Sequence, residues 1–103
     1  MTQERVVRGG TVVFPERGPE PADILISDGS IAAVLRPGEA VPEGTEAIEA
    51  SGLHVFPGII DAHVHFGFGE PLTEYSTETT YAAQGGVTTI LAFFLNNEPY
   101  SEI

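Results

Sequence analysis

The chain has 103 residues, with 15 acidic and 4 basic side chains, no cysteine and 42% apolar residues, a composition that suits a globular domain or part of one and not a disordered tail. A formal charge of −11 without a single lysine argues against nucleic acid and anionic membrane surfaces as partners, because both are recognised by clustered Lys or Arg. The longest apolar run, residues 90–95, is far below the roughly 20 residues that a membrane-spanning helix needs, and residues 1–8 open no apolar signal segment, so a cytoplasmic protein is expected.

In chain order, the first half reads as short strands broken by turns. Residues 5–14 alternate loosely around Val6, Val12 and Phe14, and the prolines and glycine of residues 15–21 predict a loop. Residues 22–27 and 30–36 flank Asp28-Gly29, a dipeptide that tolerates the positive φ of a type I′ turn, and so predict a hairpin. Residues 46–50 and 53–56, around Ser51-Gly52, read as a second antiparallel pair. The pattern changes after Pro57-Gly58. Residues 59–66 predict a strand, Gly67, Gly69 and Pro71 a loop, Thr73 the cap of a helix running to Gln84, and Gly85 its left-handed stop. Tyr75, Thr79, Ala82 and Ala83 fall on one face of that helix. Residues 87–95 predict another strand, giving a strand–helix–strand unit with parallel strands and a right-handed crossover. Both strands are apolar at nearly every position, as in parallel sheets covered on each face. One helix covers one face at best, so the chain is expected to be a piece of a larger protein, barrels of this kind running to roughly 250 residues.

With no cysteine, a metal has to be held by carboxylates and by some of the three histidines. The period-two geometry of a strand predicts Asp61, His63 and His65 on one face. Neighbours on that face stand roughly 6.7 Å apart at Cα, close enough for both rings to lean onto one ion at about 2.0–2.1 Å per nitrogen. The pair ends its strand beside a glycine loop, where barrels place their active sites, and Asp61 is positioned to support a ligand from behind. A solvated edge strand is the competing reading. It is weakened because no base follows Arg36, so burying the trio without a cation would be costly, and a divalent metal would supply the charge. His54, alone between Leu53 and Val55, reads as a structural or surface histidine.

Pro57-Gly-Ile-Ile-Asp-Ala-His-Val-His65, preceded by Ala50-Ser-Gly-Leu-His-Val-Phe56 and followed by Ala82-Ala-Gln-Gly-Gly-Val-Thr-Thr89, resembles the N-terminal part of the metal-dependent amidohydrolases. Within that superfamily the chain is most similar to the cyclic amidohydrolases: hydantoinases and dihydropyrimidinases, dihydroorotases and allantoinases. The resemblance implies an α/β fold: residues 1–56 as the N-terminal part of a small β-sandwich, and residues 57–103 as the first strand–helix–strand unit of a TIM-like (β/α)8 barrel. It makes His63 and His65 the first two metal ligands of a Zn2+ pair in the intact subunit. The family's bridging lysine, two further histidines and proton-shuttling aspartate have no counterpart here, so the chain alone is expected to be inactive. The implied reaction is attack of a metal-bound hydroxide on a ring amide of a small cyclic substrate, in a protein expected to be a homodimer or homotetramer.

Two departures shape the substrate reading. Gly67 stands where dihydroorotases usually carry an arginine, and Ala92 where many relatives carry an acid. A neutral hydantoin or dihydropyrimidine ring therefore fits better than an acidic one, with Asn96 a candidate substrate contact. The alternatives are a dihydroorotase- or allantoinase-like member, an aminohydrolase that removes an exocyclic amine, and a non-catalytic scaffold relative.

Overall fold

The computed structural model describes residues 3–65 and 69–93, which fall into two compact units, Met1–Pro57 and Gly58–Ile103. The first unit holds strands β1 (Glu4–Arg8), β2 (Thr11–Phe14), β3 (Gly18–Pro21), β4 (Asp23–Ser27), β5 (Ser30–Leu35), β6 (Glu46–Glu49) and β7 (His54–Val55). They form a four-stranded sheet, β5-β4-β1-β6, and a three-stranded sheet, β3-β2-β7. The expected hairpin is present: β4 and β5 pair antiparallel, and the turn carries Asp28 at φ 48° and Gly29 at φ 77°.

Three local expectations are corrected. Residues 5–14 are two strands in different sheets, because Gly9 at φ 77° bends the chain out of the first. Residues 46–56 are not an antiparallel pair: β6 runs parallel to β1, and β7 parallel to β2. Ser51-Gly52, with Gly52 at φ 76°, repeats the bend at Gly9, so the two segments change sheet side by side. Bridging bonds from Ala50 N–H to the Arg8 carbonyl (2.8 Å) and from Thr11 N–H to the Leu53 carbonyl (2.9 Å) carry the parallel pairing across the bend. The predicted loop over residues 15–21 contains β3, an edge strand paired to β2 with Pro19 opposite Val13 and Pro21 opposite Thr11. Proline is tolerated there because an edge strand needs hydrogen bonds on one side only.

The two sheets share an apolar cluster of Val12, Ala22 and Ile24, against which Val7, Phe14, Ile26 and Val55 pack. Beside it Asp23, 1% exposed, is the buried charge of the unit. Its carboxylate accepts bonds from Arg8 Nη1 (2.7 Å), Gly38 N–H (2.9 Å) and Gly9 N–H (3.2 Å), which matches the rule that a buried charge must be paired and hydrogen-bonded. Arg5, Arg17 and Arg36 pair with Glu46, Glu20 and Glu39. Every arginine of the chain is thus matched to a carboxylate of this unit.

The second unit comprises β8 (Ile59–Val64), α1 (Pro71–Gln84) and β9 (Val87–Ala92), with β8 and β9 parallel as expected. The helix departs from prediction at both ends. It starts at Pro71 after Glu70, with no side-chain cap, so Thr73 lies inside its first turn; proline suits that first position because its missing N–H would have no helical partner. At the other end Gly85 remains right-handed at φ −81°, and Gly86 at φ 89° makes the left-handed reversal. Bonds from Gly85 N–H to the Tyr81 carbonyl and from Gly86 N–H to the Ala83 carbonyl, both 3.0 Å, close the last turn.

Tyr75, Thr79 and Ala82 are half-buried, as are Val64, Val87, Ile90 and Ala92, while Ala83, placed on the same helical face by its spacing, is exposed. Ile59, Ile60 and Leu91 stay at least half exposed. Among the described residues, no helix is long and apolar enough to cross a membrane.

Candidate metal centre

His63 lies one residue before the end of β8 and His65 one residue beyond it. Their imidazoles converge, with Nε2 of one 2.9 Å from Nε2 of the other and the rings edge-on at 76°. His65 turns its other nitrogen, Nδ1, to the Phe93 carbonyl at 2.7 Å. A carbonyl only accepts, so Nδ1 carries the proton and, in the neutral ring, Nε2 presents a lone pair. The Phe93 ring stacks on His63, centroids 4.3 Å apart and planes 18° from parallel.

The donor geometry can be tested against a metal. Two nitrogens each about 2.05 Å from one ion are 2.9 Å apart when the angle at the ion is close to 90°, and about 3.3 Å apart at the tetrahedral angle. A spread of about 0.4 Å between the two nitrogens would bring the observed pair to two corners of a zinc site. The residues fit the ion in number of nitrogens and in direction, but not as a complete set: among the described residues no group of three or more His, Asp or Glu is gathered around a common point.

Asp61 sits differently from the expectation. Its Oδ1 accepts the main-chain N–H of His63 at 3.2 Å and, among the described residues, it hydrogen-bonds neither imidazole. The β8–β9 register also shifts between Asp61 and Val64, so the strict alternation behind a shared face of three side chains is interrupted. Asp61 shapes the backbone that carries His63. Sequence reasoning missed Phe93, which lay inside a run read only as apolar strand. His54 is exposed in β7, beside Phe56 at 6.3 Å between ring centroids. Gly67 and Asn96, the positions of the expected arginine departure and of the substrate contact, lie outside the described residues.

Electrostatically the site suits a cation. The second unit carries six acids in sequence, Asp61, Glu70, Glu74 and Glu78 among the described residues, and no Lys or Arg. A cavity of about 270 Å3, lined by Val64, His65, Glu78, Tyr81, Ala82 and Ile90, opens beside the histidine pair.

Comparison with known proteins gives the chain its family. No family model matches the chain. A dihydroorotase of Citrifermentans bemidjiense is 44% identical over 90 residues, 82% of this chain and 20% of the relative. An allantoinase of Bacillus licheniformis is 36% identical over 104 residues, 96% of this chain and 22% of the relative. The crystal structure of a D-hydantoinase superposes with a TM-score of 0.74 at 34% identity, covering 99% of this chain and 22% of that one. The chain belongs to the cyclic amidohydrolases. It spans about a fifth of the length of the cyclic amidohydrolases it matches, at their N-terminal end. Within this family the mostly stranded, single-helix fold of the described residues corresponds to part of larger hydantoinase-like structures.

Proposed function

We propose that the chain supplies the N-terminal part of a metal-dependent enzyme that hydrolyses a ring amide, with His63 and His65 as two of its metal ligands. The observation that carries this reading is the 2.9 Å approach of the two Nε2 atoms, with His65 Nδ1 engaged by the Phe93 carbonyl. Without an ion this approach is an N–H···N hydrogen bond, His63 Nε2–H donating to the His65 Nε2 lone pair, and an ion taking the place of that proton would be shared by the same two nitrogens. The chemistry such an ion supplies when bound is polarisation of a carbonyl and acidification of a water. The chain's own residues hold one side of the site, and Asp61 fixes the peptide that bears His63.

In this proposal the first unit is the N-terminal part of a small β-sandwich, and the second is the opening unit of a (β/α)8 barrel with two zinc ions in the complete, cytoplasmic homo-oligomer. A neutral hydantoin or dihydropyrimidine ring is the favoured substrate, since no base follows Arg36 to meet an acidic one. The 44% identity to a dihydroorotase supports dihydroorotate as the second reading, whose carboxylate would then need a cation from outside these residues.

The test is metal analysis of the chain after equilibration with Zn2+, beside the His63→Ala, His65→Ala double variant. The chain retains zinc and the variant does not; equal retention by both refutes the metal reading. With two ligands and no general base the chain itself turns over neither hydantoin, dihydrouracil nor dihydroorotate, and turnover of any of them would refute the assignment of the remaining machinery to other residues.

A further inference from the structure

We infer that Phe93 is the positioning residue for both imidazoles, an inference that rests on the metal reading above. Three contacts meet on this one residue just past the end of β9. Its N–H donates to the carbonyl of Val64, the residue between the two histidines, at 3.0 Å. Its own carbonyl accepts from His65 Nδ1 at 2.7 Å. Its ring lies flat against His63, while the His65 ring stands 6.3 Å away and tilted by 60°. His65 is therefore held by the Phe93 backbone and His63 by the Phe93 side chain, and the whole clamp is tied to the strand that bears them.

The physical effect is preorganisation. An exposed histidine samples several rotamers, and an ion must order both rings before it gains two bonds. Stacking removes ring rotation at His63, and the Nδ1–H bond leaves only Nε2 of His65 for an ion, so that ordering precedes binding and the affinity rises.

The experiment uses the full 103-residue chain, with Co2+ alone as the probe, and compares Phe93→Ala, Phe93→Tyr and the His63→Ala, His65→Ala double variant. Loss of a group that orients a metal ligand costs about 10–100-fold in metal affinity, so Phe93→Ala is expected to bind Co2+ at least about 10-fold more weakly. Phe93→Tyr, which keeps the planar ring, retains the affinity. A second readout needs no metal: the ring-current shift of the His63 carbon-bound protons in the NMR spectrum disappears in Phe93→Ala and persists in Phe93→Tyr. Unchanged Co2+ affinity in Phe93→Ala, with binding abolished in the double histidine variant, overturns the positioning role and leaves the metal site standing. A loss that Phe93→Tyr fails to restore also overturns it, because the flat ring is the proposed device. Equal Co2+ binding by the chain and the double variant, or none by either, removes the metal reading and this inference with it.

Discussion

Replacing Asp23 by alanine is the most severe test of the first unit. The carboxylate is 1% exposed and gathers Arg8, Gly9 and Gly38 through three hydrogen bonds. Truncation leaves two main-chain N–H groups without their acceptor, at about 1–3 kcal/mol each where water cannot reach them. It also strips the guanidinium of its counter-ion. Breaking a buried pair from one side costs about 3–5 kcal/mol, but the Arg8 side chain is 26% exposed and keeps its bond to the Glu39 carbonyl, which favours the lower end. Gly9 and Gly38 are themselves exposed, so water takes over most of what their N–H groups lose and the broken ion pair dominates, for a total of about 3–5 kcal/mol. A unit of this size has roughly 3–9 kcal/mol at its disposal, at 0.05–0.15 kcal/mol per residue, so Asp23→Ala is expected to unfold it largely or to lower its melting temperature by more than about 12 °C. Asp23→Asn keeps the shape and one acceptor oxygen and should fall between. Circular dichroism melts and urea titrations decide the matter. A melting temperature for Asp23→Ala within a few degrees of the parent would show that the three bonds are exchanged for water at no cost, and the account of this core would fail.

Further expectations are smaller and more local. Gly29 has φ 77° with open space around its missing Cβ, so Gly29→Ala costs backbone strain alone, about 1–2 kcal/mol, visible as a modest loss of melting temperature; a neutral result would dissociate the turn geometry from stability. A Cβ at Gly58 would collide with the Thr88 hydroxyl and stand 2.7 Å from its Cγ2. Gly58→Ala should then lose about 1–3 kcal/mol of β8–β9 pairing, read as faster amide exchange across those strands, and Thr88→Ala should recover only part of it, because the Thr88 Cβ still stands 2.8 Å from the new methyl. The Glu49 carboxyl is held below its ordinary range, first by the Ser51 hydroxyl and next by the Ser51 N–H, so Ser51→Ala should raise its titration midpoint in a carbon-detected NMR titration. A group with a depressed folded pKa contributes stability above its unfolded pKa and loses it as pH falls through the folded value. The stability gap between parent and Ser51→Ala is therefore present near neutrality and closes in acid; a gap that widens on acidification would reverse the assigned sign.

How much of the fold the residues reveal depends on whether the cause is local. Asp28-Gly29 sets its own turn, because only residues tolerant of positive φ sit at both central positions, and the hairpin follows. Ser51-Gly52 carries a similar signal and yet makes no hairpin. Its partner is the Gly9 bend, more than forty residues upstream in the chain, and the parallel pairing of β6 with β1 arises from that distant match. The prolines of residues 15–21 mark a loop by composition, and only an unused sheet edge at β2 turns four of those residues into a strand. At the helix ends the error is one of position: two successive glycines offer the left-handed reversal equally, and hydrogen bonding to Tyr81 and Ala83 assigns it to the second.

The candidate site divides along the same line. Two histidines two residues apart are legible as a pair because the strand itself brings them near, and their types name the chemistry. The partners that orient them are not legible, because every residue owns a carbonyl and no side-chain letter marks the one that accepts from His65. That choice belongs to the register between β8 and β9. Phe93 N–H bonds the Val64 carbonyl, and with that bond in place the next carbonyl along falls under His65 and the ring falls over His63. A slip of one residue would turn the Phe93 ring to the other side of the strand, and both contacts would be lost together. The two strands must therefore pair correctly before the histidines converge, so in the proposed metal site the β8–β9 junction, at Gly58 against Thr88 and at Phe93 against Val64, is where folding and metal binding would be coupled.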